Sequence, residues 1–153
     1  MATPKRRRLR TRFHSPRESP GFLLWLVTNA WQRKLRAALD PLDLTHVQFV
    51  LLASLAWLSR EGDTVTQVRL AQQARIDEMM TSQVVRALER KGLLRRGAYP
   101  ADHRARGLQV TAQGLQLVNR ALGLVERADA RFFGAVGRGL PRLITMLRSL
   151  SGG

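Results

Sequence analysis

From Gly21 to Leu150 the apolar residues recur at three- and four-residue steps, and only one stretch departs from this α-helical period. In that stretch, residues 93–111, Leu108 and Val110 alternate with a polar residue, and a Gly- and Pro-containing segment precedes them. Two short strands around such a tip are typical of a β-hairpin. The chain is therefore predicted to be mainly α-helical with a single small hairpin.

Two helices are predicted before residue 60. The first spans about 21–40 and is expected to end at Asp40-Pro41, because proline disfavours the helical conformation for its predecessor. Thr45 and Gln48 have the spacing of a capping box, which marks the start of a second helix. This helix is apolar on most sides over 49–58, a pattern typical of a helix buried at the centre of a domain.

Two shorter helices follow. Thr66 is placed to cap a helix over about 67–74, and Asp77 to cap another over roughly 78–91, with Gly92 as its terminator. In the second of these helices Val84, Val85 and Leu88 are predicted to face inward. Its outer side is predicted to carry Thr81, Ser82, Gln83 and Arg86.

Beyond the hairpin, Thr111 is placed to cap a long apolar-striped helix that extends to about Val136. Gly137 and Gly139 interrupt the pattern, and a last short helix ends near residue 150. The first helix and these terminal helices carry more apolar surface than one small domain covers. Pairing of two chains through them would bury it.

The charge distribution indicates the class of partner. The chain has 26 Lys and Arg against 11 Asp and Glu, a formal net charge of +15, so a polyanion is expected to bind it. The excess lies mainly in residues 1–20 and in residues 81–111. Residues 1–20 are predicted to form a disordered basic arm, because they combine like charges with three prolines and few apolar residues. Residues 21–153 are predicted to form a single domain.

Several functions are excluded by what the sequence lacks. It has no Cys, which removes disulfide scaffolds, zinc fingers and thiol chemistry. Its three histidines, His14, His46 and His103, are too far apart in sequence for a paired metal-binding motif, and no phosphate-binding Gly-rich loop occurs. No run of about 18 apolar residues indicates a membrane span. We therefore predict no enzyme, no cofactor, no metal site and no membrane partner.

The order helix, turn, helix, basic hairpin over about 45–111 predicts a winged helix-turn-helix. The second helix of such a motif fits the major groove of double-stranded DNA, and an arginine at the hairpin tip can enter the minor groove. A non-specific architectural protein, or an RNA-binding protein, is the alternative. Readers of single strands need aromatic platforms, and Tyr99 is the only aromatic residue of the basic stretch, which disfavours that alternative.

Four sequence pieces occur in a characteristic order. They are Leu44-Thr45-x-x-Gln48-Phe49-x-x-Leu52, Val65-Thr66-Gln67-Val68-x-Leu70-Ala71, Arg86-Ala87-Leu88-Glu89-Arg90-Lys91-Gly92-Leu93-Leu94-x-Arg96, and Asp102-x-Arg104-x-x-x-Leu108-x-Val110-Thr111-x-x-Gly114. Over about residues 21–136 the chain thereby resembles the MarR (multiple antibiotic resistance) regulators. The last piece is the most specific, because it matches the wing signature of that family.

The resemblance implies roles for individual residues. Arg104 would be the minor-groove arginine, and Asp102 would orient the wing by pairing with an arginine. His103 is a departure, since the family often has a second arginine there, and Arg106 is placed to compensate. The predicted DNA-binding residues are Thr81, Ser82, Gln83, Arg86, Arg90, Arg96, Arg104 and Arg106.

The resemblance also implies a cytoplasmic, nucleoid-associated repressor. It would bind a pseudo-palindromic operator as a homodimer formed by helices over about 21–40 and 112–150. Members of the family often bind a small phenolic or anionic ligand, so release by such an effector is expected here, although the absence of Cys excludes a peroxide-sensing thiol. The candidate pocket residues are Trp25, Trp31, His46 and Phe49, with Trp57 as a further aromatic. The alternative is that these aromatics belong to the core.

Overall fold

The computed structural model describes residues 9–98 and 106–152. Within them the chain forms six α-helices and three short β-strands. The helices are α1 (Pro20–Leu39), α2 (His46–Leu58), α3 (Gln67–Ala74), α4 (Glu78–Arg90), α5 (Ala112–Phe133) and α6 (Leu140–Leu150), and the strands are β1 (Val65–Thr66), β2 (Leu94–Ala98) and β3 (Arg106–Val110). The predicted fold class, mainly α with a small winged hairpin, is confirmed.

Side-chain caps determine where most of the helices begin. In the predicted capping box, the Thr45 hydroxyl accepts from the backbone N–H of Gln48, and the Gln48 side chain accepts from the backbone N–H of Thr45, both at 3.2 Å. An oxygen at each of these positions satisfies an N–H that the helix itself leaves unpaired. Four other helices begin at a side-chain cap without the reciprocal bond: Ser19, Thr66, Asp77 and Thr111 each accept from a backbone N–H three residues further on.

The core is built around α2, as its continuous apolar character predicts. Leu51, Leu52 and Leu55 are completely buried in this helix. They contact α3 and α4 on one side and α5 on another, while α1 packs lengthwise along α5. The helix-turn-helix of α3 and α4 is therefore attached to the long α5 through α2.

The three strands form an antiparallel sheet in the order β1-β3-β2. The hairpin of β2 and β3 is in the predicted place, with Leu94 opposite Val110 and Ala98 opposite Arg106. Strand β1 was not predicted: Val65 pairs with Leu108 and Thr66 with Gly107. A strand of two residues is too short to show the alternation of apolar and polar residues that identifies strands in a sequence. It is recognised only by its pairing with a distant segment. It joins the hairpin to the start of α3.

The start of α5 is packed against the base of the hairpin. The Thr111 hydroxyl donates to the Gly92 carbonyl at 2.6 Å and accepts from the backbone N–H of Gly114 at 3.0 Å. Gly114 is buried, and a β-carbon placed on it would overlap the Leu93 carbonyl oxygen. A helix and a backbone carbonyl approach this closely only because no side chain lies between them.

The two ends of the chain add short helical segments. Pro16–Glu18 forms a 3₁₀ turn just before α1, within the arm predicted to be disordered. The Ser15 hydroxyl caps this turn, and the Glu18 carboxylate accepts from the backbone N–H of His14 at 3.0 Å. At the other end, Gly134–Gly139 separates α5 from α6 at the predicted glycine break.

In the part of the chain that the structure describes, no single helix is long and apolar enough to cross a membrane. The segments Pro20–Leu42 and His46–Leu58 pass that test of length and composition only as a pair, and the two are bent by 75° relative to each other.

Candidate nucleic-acid interface

Helix α4 has one apolar face and one open face, and the apolar face includes a residue that was predicted to be outside. Thr81 is completely buried, in line with Val84, Val85 and Leu88 at helical spacing. Its hydroxyl is buried without a hydrogen-bond partner among the described residues. The assignment of Thr81 to the outer, DNA-contacting side is therefore wrong: the helical period places it inward despite its polarity.

The open face of α4 is centred on the side directly opposite this apolar stripe. Ser82 lies at its edge and is half-buried, whereas Gln83, Arg86 and Arg90 are exposed as predicted. Met79 lies on the same line, four residues before Gln83, and is 75% exposed. The prediction missed Met79 because small polar side chains were sought there. The three- and four-residue spacing of positions 79, 83, 86 and 90 was the available signal.

Arg86 lies along this face. Its Nη2 donates to the Ser82 hydroxyl at 2.9 Å, and its Nε to the Ser82 carbonyl at 3.3 Å. These bonds hold the guanidinium one turn back toward the start of the helix, between Ser82 and Gln83. The result is a cationic group with unused N–H donors on the exposed surface of α4.

The two strand arginines have different surroundings. Arg96 is partly buried and pairs with Glu89 of α4, with 3.1 Å between Nε and Oε2. Arg95 is exposed and donates to Gln109 on the neighbouring strand at 3.1 Å. The predicted DNA contact Arg96 is thus placed where it ties the hairpin to α4 rather than on the open surface.

The hairpin tip contains the remaining predicted contacts. Arg104 and the orienting Asp102 lie outside the described residues. The backbone of Arg106 begins β3 opposite Ala98, which places it at the tip-side end of the sheet.

The four predicted pocket residues do not share one environment. Trp25 is 64% exposed on α1, whereas Phe49 belongs to the buried core, which agrees with the alternative interpretation for that residue. Trp31 and His46 do meet: their ring centroids are 5.2 Å apart in an edge-to-face arrangement. The Trp31 indole also donates to Asp129 of α5 at 2.7 Å.

His46 is half-buried in the first turn of α2. Burial lowers the pKa of its imidazole below 6.5, because the charged form loses hydration there. The Asp129 carboxylate opposes this shift and the Arg36 guanidinium adds to it. At neutral pH the ring is therefore neutral and packs against Trp31 as an uncharged aromatic.

A cavity of about 520 Å³ lies between α2 and the first half of α5. Its lining is mostly apolar and includes Trp57, Leu115 and Leu122, with the polar side chains of Gln73 and Asn119 at the sides. Trp57 is 61% exposed, and the Arg60 guanidinium stacks over its ring at 4.1 Å. Trp57, the further candidate aromatic, is therefore surrounded by residues other than Trp25, Trp31, His46 and Phe49.

Comparison with known proteins places this geometry in a family. The family model described as "MarR family" matches residues 44–105, which include α2, α3, α4 and β2. An uncharacterised HTH-type transcriptional regulator of Bacillus subtilis strain 168, YdcH, is 48% identical over 125 residues, which is 82% of this chain and 85% of YdcH. The similarity to this transcriptional regulator therefore extends over most of both chains.

Solved structures agree with this classification. CouR from Rhodococcus jostii RHA1 bound to p-coumaroyl-CoA superposes with a TM-score of 0.78 and 26% identity, over 90% of this chain and 93% of that one. The transcriptional repressor CouR bound to a 23-mer DNA duplex gives 0.79 and 26%, over 88% and 94%. A helix-turn-helix followed by a basic hairpin, a relative at 48% identity and these neighbours lead to one conclusion. The chain belongs to the MarR family of DNA-binding transcriptional regulators and is not an enzyme.

Proposed function

We propose that this regulator is a homodimeric repressor that binds a pseudo-palindromic operator and is released from it by a small molecule. The observation that carries the proposal is the open face of α4. Exposed Gln83, Arg86 and Arg90 share that face, and the packed stripe opposite them fixes its orientation. A helix with donors on one face fits the major groove, where guanine and adenine present acceptors.

Within this proposal the hairpin supplies the second contact. Arg104 and Arg106 follow the basic strand β2 and would approach the adjacent minor groove, with Asp102 orienting Arg104. Arg96 acts differently, because its pair with Glu89 keeps the hairpin beside α4. We therefore assign Arg96 to positioning of the wing and Arg104 to the DNA.

The dimer is supported by apolar surface that the single chain leaves open. The first two turns of α1 present six consecutive apolar side chains, each 37–64% exposed: Phe22, Leu23, Leu24, Trp25, Leu26 and Val27. Contiguous apolar patches of this kind mark protein contacts in soluble proteins. A second copy is the occupant that a palindromic operator requires, since a two-fold axis relates its half-sites.

Helix α6 extends the same argument. Ile144 and Leu147 line an apolar cavity of about 230 Å³ against Phe133 of α5, and both are more than 40% exposed. Met146 and Leu150 are also exposed on this short helix. The terminal helices of the partner would cover these side chains. Two α4 helices related by the two-fold axis would then reach half-sites about 10 base pairs apart.

Release by an effector is supported by the cavity between α2 and α5. Its volume of about 520 Å³ suits a small aromatic molecule, and Trp57 offers a ring while Arg60 offers a cation for a phenolate or carboxylate. CouR, a structural neighbour at 26% identity, is bound to p-coumaroyl-CoA, the thioester of a phenolic acid. A molecule seated here would press on α2, to which both α3 and α4 are packed.

The first experiment is a DNase I footprint on the intergenic DNA beside this protein's own gene, at two salt concentrations. We expect a sharp protected patch centred on an inverted repeat. Affinity should fall as salt rises, since phosphate contacts release counterions, but the patch should persist. Diffuse protection that disappears at the higher salt would instead support the architectural alternative and contradict the proposal.

A matched pair of variants separates specific operator binding from the architectural alternative, in which binding depends on charge alone. Arg86→Ala removes a cation from the open face of α4, and Arg120→Ala removes one from an exposed position of α5 outside the apolar side chains assigned to the dimer, so both lower the net charge equally. If binding is specific through α4, the first variant loses the footprint and the second retains it. Equal weakening by both variants would indicate a charge effect alone.

A further inference from the structure

The most exposed apolar side chain of the helix-turn-helix lies at the leading end of the surface proposed to meet DNA. Met79 is 75% exposed in the first turn of α4. Its position on the helix is opposite the buried stripe of Thr81, Val85 and Leu88, so it points directly away from the core. It contributes little to the packing of the described fold.

The position of Met79 along α4 indicates what its exposed side chain can contact on DNA. In helix-turn-helix proteins the residues near the start of the second helix reach the base edges. Arg86 and Arg90 lie further along, where cations suit phosphates, and Gln83 lies one turn after Met79. An apolar side chain at the leading end forms no hydrogen bond with a base or a phosphate oxygen. The only apolar group that the major groove offers is the C5-methyl of thymine.

We infer that Met79 reads thymine in the operator by packing its thioether side chain on that methyl group. The inference deepens the proposed function, on which it rests, by naming a specificity-determining residue and the base it recognises. The flexible, polarizable Met side chain adapts its shape to such a contact. A Gln at the next turn can bind adenine through N6 and N7, so Met79 and Gln83 together favour A·T pairs in each half-site.

Replacing thymine by deoxyuridine tests the contact. The exchange removes one methyl group and leaves base pairing and charge unchanged. Each thymine of the footprinted half-site is exchanged in turn, symmetrically in both half-sites, and the Kd is measured for the full-length wild-type protein. Burial of one methyl group predicts roughly a fourfold loss of affinity per half-site at one position and little change elsewhere.

The Met79→Ala variant completes the cycle. We expect it to bind the thymine operator with the same loss as the wild-type protein shows on uracil, and to show no further loss on uracil. Its dependence on salt should match the wild type, since no phosphate contact is removed. Met80→Ala is the matched control: Met80 lies about 100° further around the helix, and its variant should keep the full thymine preference.

The outcomes distinguish the inference from the proposed function. A wild-type protein that prefers its operator but is indifferent to every uracil exchange overturns the role of Met79 and leaves the repressor intact. A Met79→Ala variant that stays sensitive to uracil, or a Met80→Ala variant that loses the sensitivity, also overturns it. A wild-type protein with no preference for the operator over mixed DNA overturns the proposed function itself.

Discussion

The indole N–H of Trp31 donates to the carboxylate of Asp129 at 2.7 Å, across the contact between α1 and α5. Trp31 also touches His46 at the first turn of α2. Trp31 of α1 therefore contacts both α2 and the distant α5, through one aromatic contact and one hydrogen bond. Two of these three helices belong to the proposed dimer region, and the third carries the DNA-binding lobe.

Loss of this hydrogen bond should lower stability. Trp31→Phe leaves a partly buried carboxylate without its donor, so we expect the free energy of unfolding to fall by about 1–2 kcal/mol. Urea unfolding followed by far-UV circular dichroism measures the change. Trp57→Phe is the control, because Trp57 is exposed and its indole N–H has no partner among the described residues. An equal loss in both variants would contradict a specific role for the Trp31–Asp129 bond.

The pH dependence of stability should contain a contribution from His46. Its pKa is lowered in the folded protein, so the unfolded chain binds a proton first as the pH falls. The contribution is fully present above about pH 6.5 and is lost as the pH drops from there to the folded pKa. Urea titrations between neutral pH and pH 5 should show a fall that His46→Gln reduces. The same slope in His46→Gln would assign the effect to other groups.

Asp129→Asn tests the sign of the neighbouring charge. The carboxylate raises the pKa of His46 against the effect of burial, so its neutralisation should lower that pKa further. An NMR titration of the His46 ring protons follows this directly. A pKa that rises in the variant would contradict the assignment of Asp129 as the charge that raises the pKa of His46.

Thr81 offers a test of the corrected assignment. Thr81→Val keeps the shape of the side chain and removes a buried hydroxyl with no described partner, so stability should stay the same or rise by about 1 kcal/mol. Operator affinity should not change, because the side chain faces the core. Gln83→Ala, two residues further along and on the opposite, exposed face of α4, should do the opposite: little effect on stability and a weaker operator complex. A drop in affinity for Thr81→Val would restore Thr81 to the interface.

The prediction from sequence that Arg104 of the wing enters the minor groove can be tested by substitution. Arg104→Ala should weaken operator binding by about 1–3 kcal/mol if the residue enters the minor groove. Fluorescence anisotropy with the footprinted duplex gives the Kd, and Arg120→Ala controls for the loss of one positive charge. Full retention of specific affinity in Arg104→Ala would remove the residue from the interface.

Dimer formation depends on α6 in our proposal. Ile144→Glu places a charge in the apolar cavity against α5, and sedimentation should then report the mass of one chain instead of two. Operator affinity should fall together with dimerisation, since the half-sites are then bound singly. Val68→Glu introduces the same charge at an exposed apolar residue of α3 and should leave the mass unchanged.

The helix starts were predictable because their causes are local. A capping oxygen and the three residues after it are close in sequence, so Thr45, Thr66, Asp77 and Thr111 could be identified without the fold. Strand β1 has no such local cause. Val65 becomes part of a strand only because Leu108, far along the chain, lies beside it.

Part of the candidate site could also be predicted, because helical periodicity is a local property of the sequence. Periodicity identified α4 and most of its open face, but residue chemistry misled the choice at two positions. Thr81 was placed outside because it is polar, and Met79 was left out because it is apolar, whereas spacing alone assigns both correctly. The roles of Arg104 and Asp102 remain predictions from sequence.

The contact at Gly114 has a consequence for protein engineering. Replacing a glycine within a helix by alanine normally stabilises a protein by up to about 1 kcal/mol. At Gly123 of α5, the added methyl would meet only the mobile end of Arg127, so the usual gain applies. At Gly114 the same methyl would collide with the Leu93 carbonyl and force α5 away from the hairpin. Two glycines of one helix thus respond to the same substitution with opposite sign, and a library varied along α5 will accept only one of the two changes.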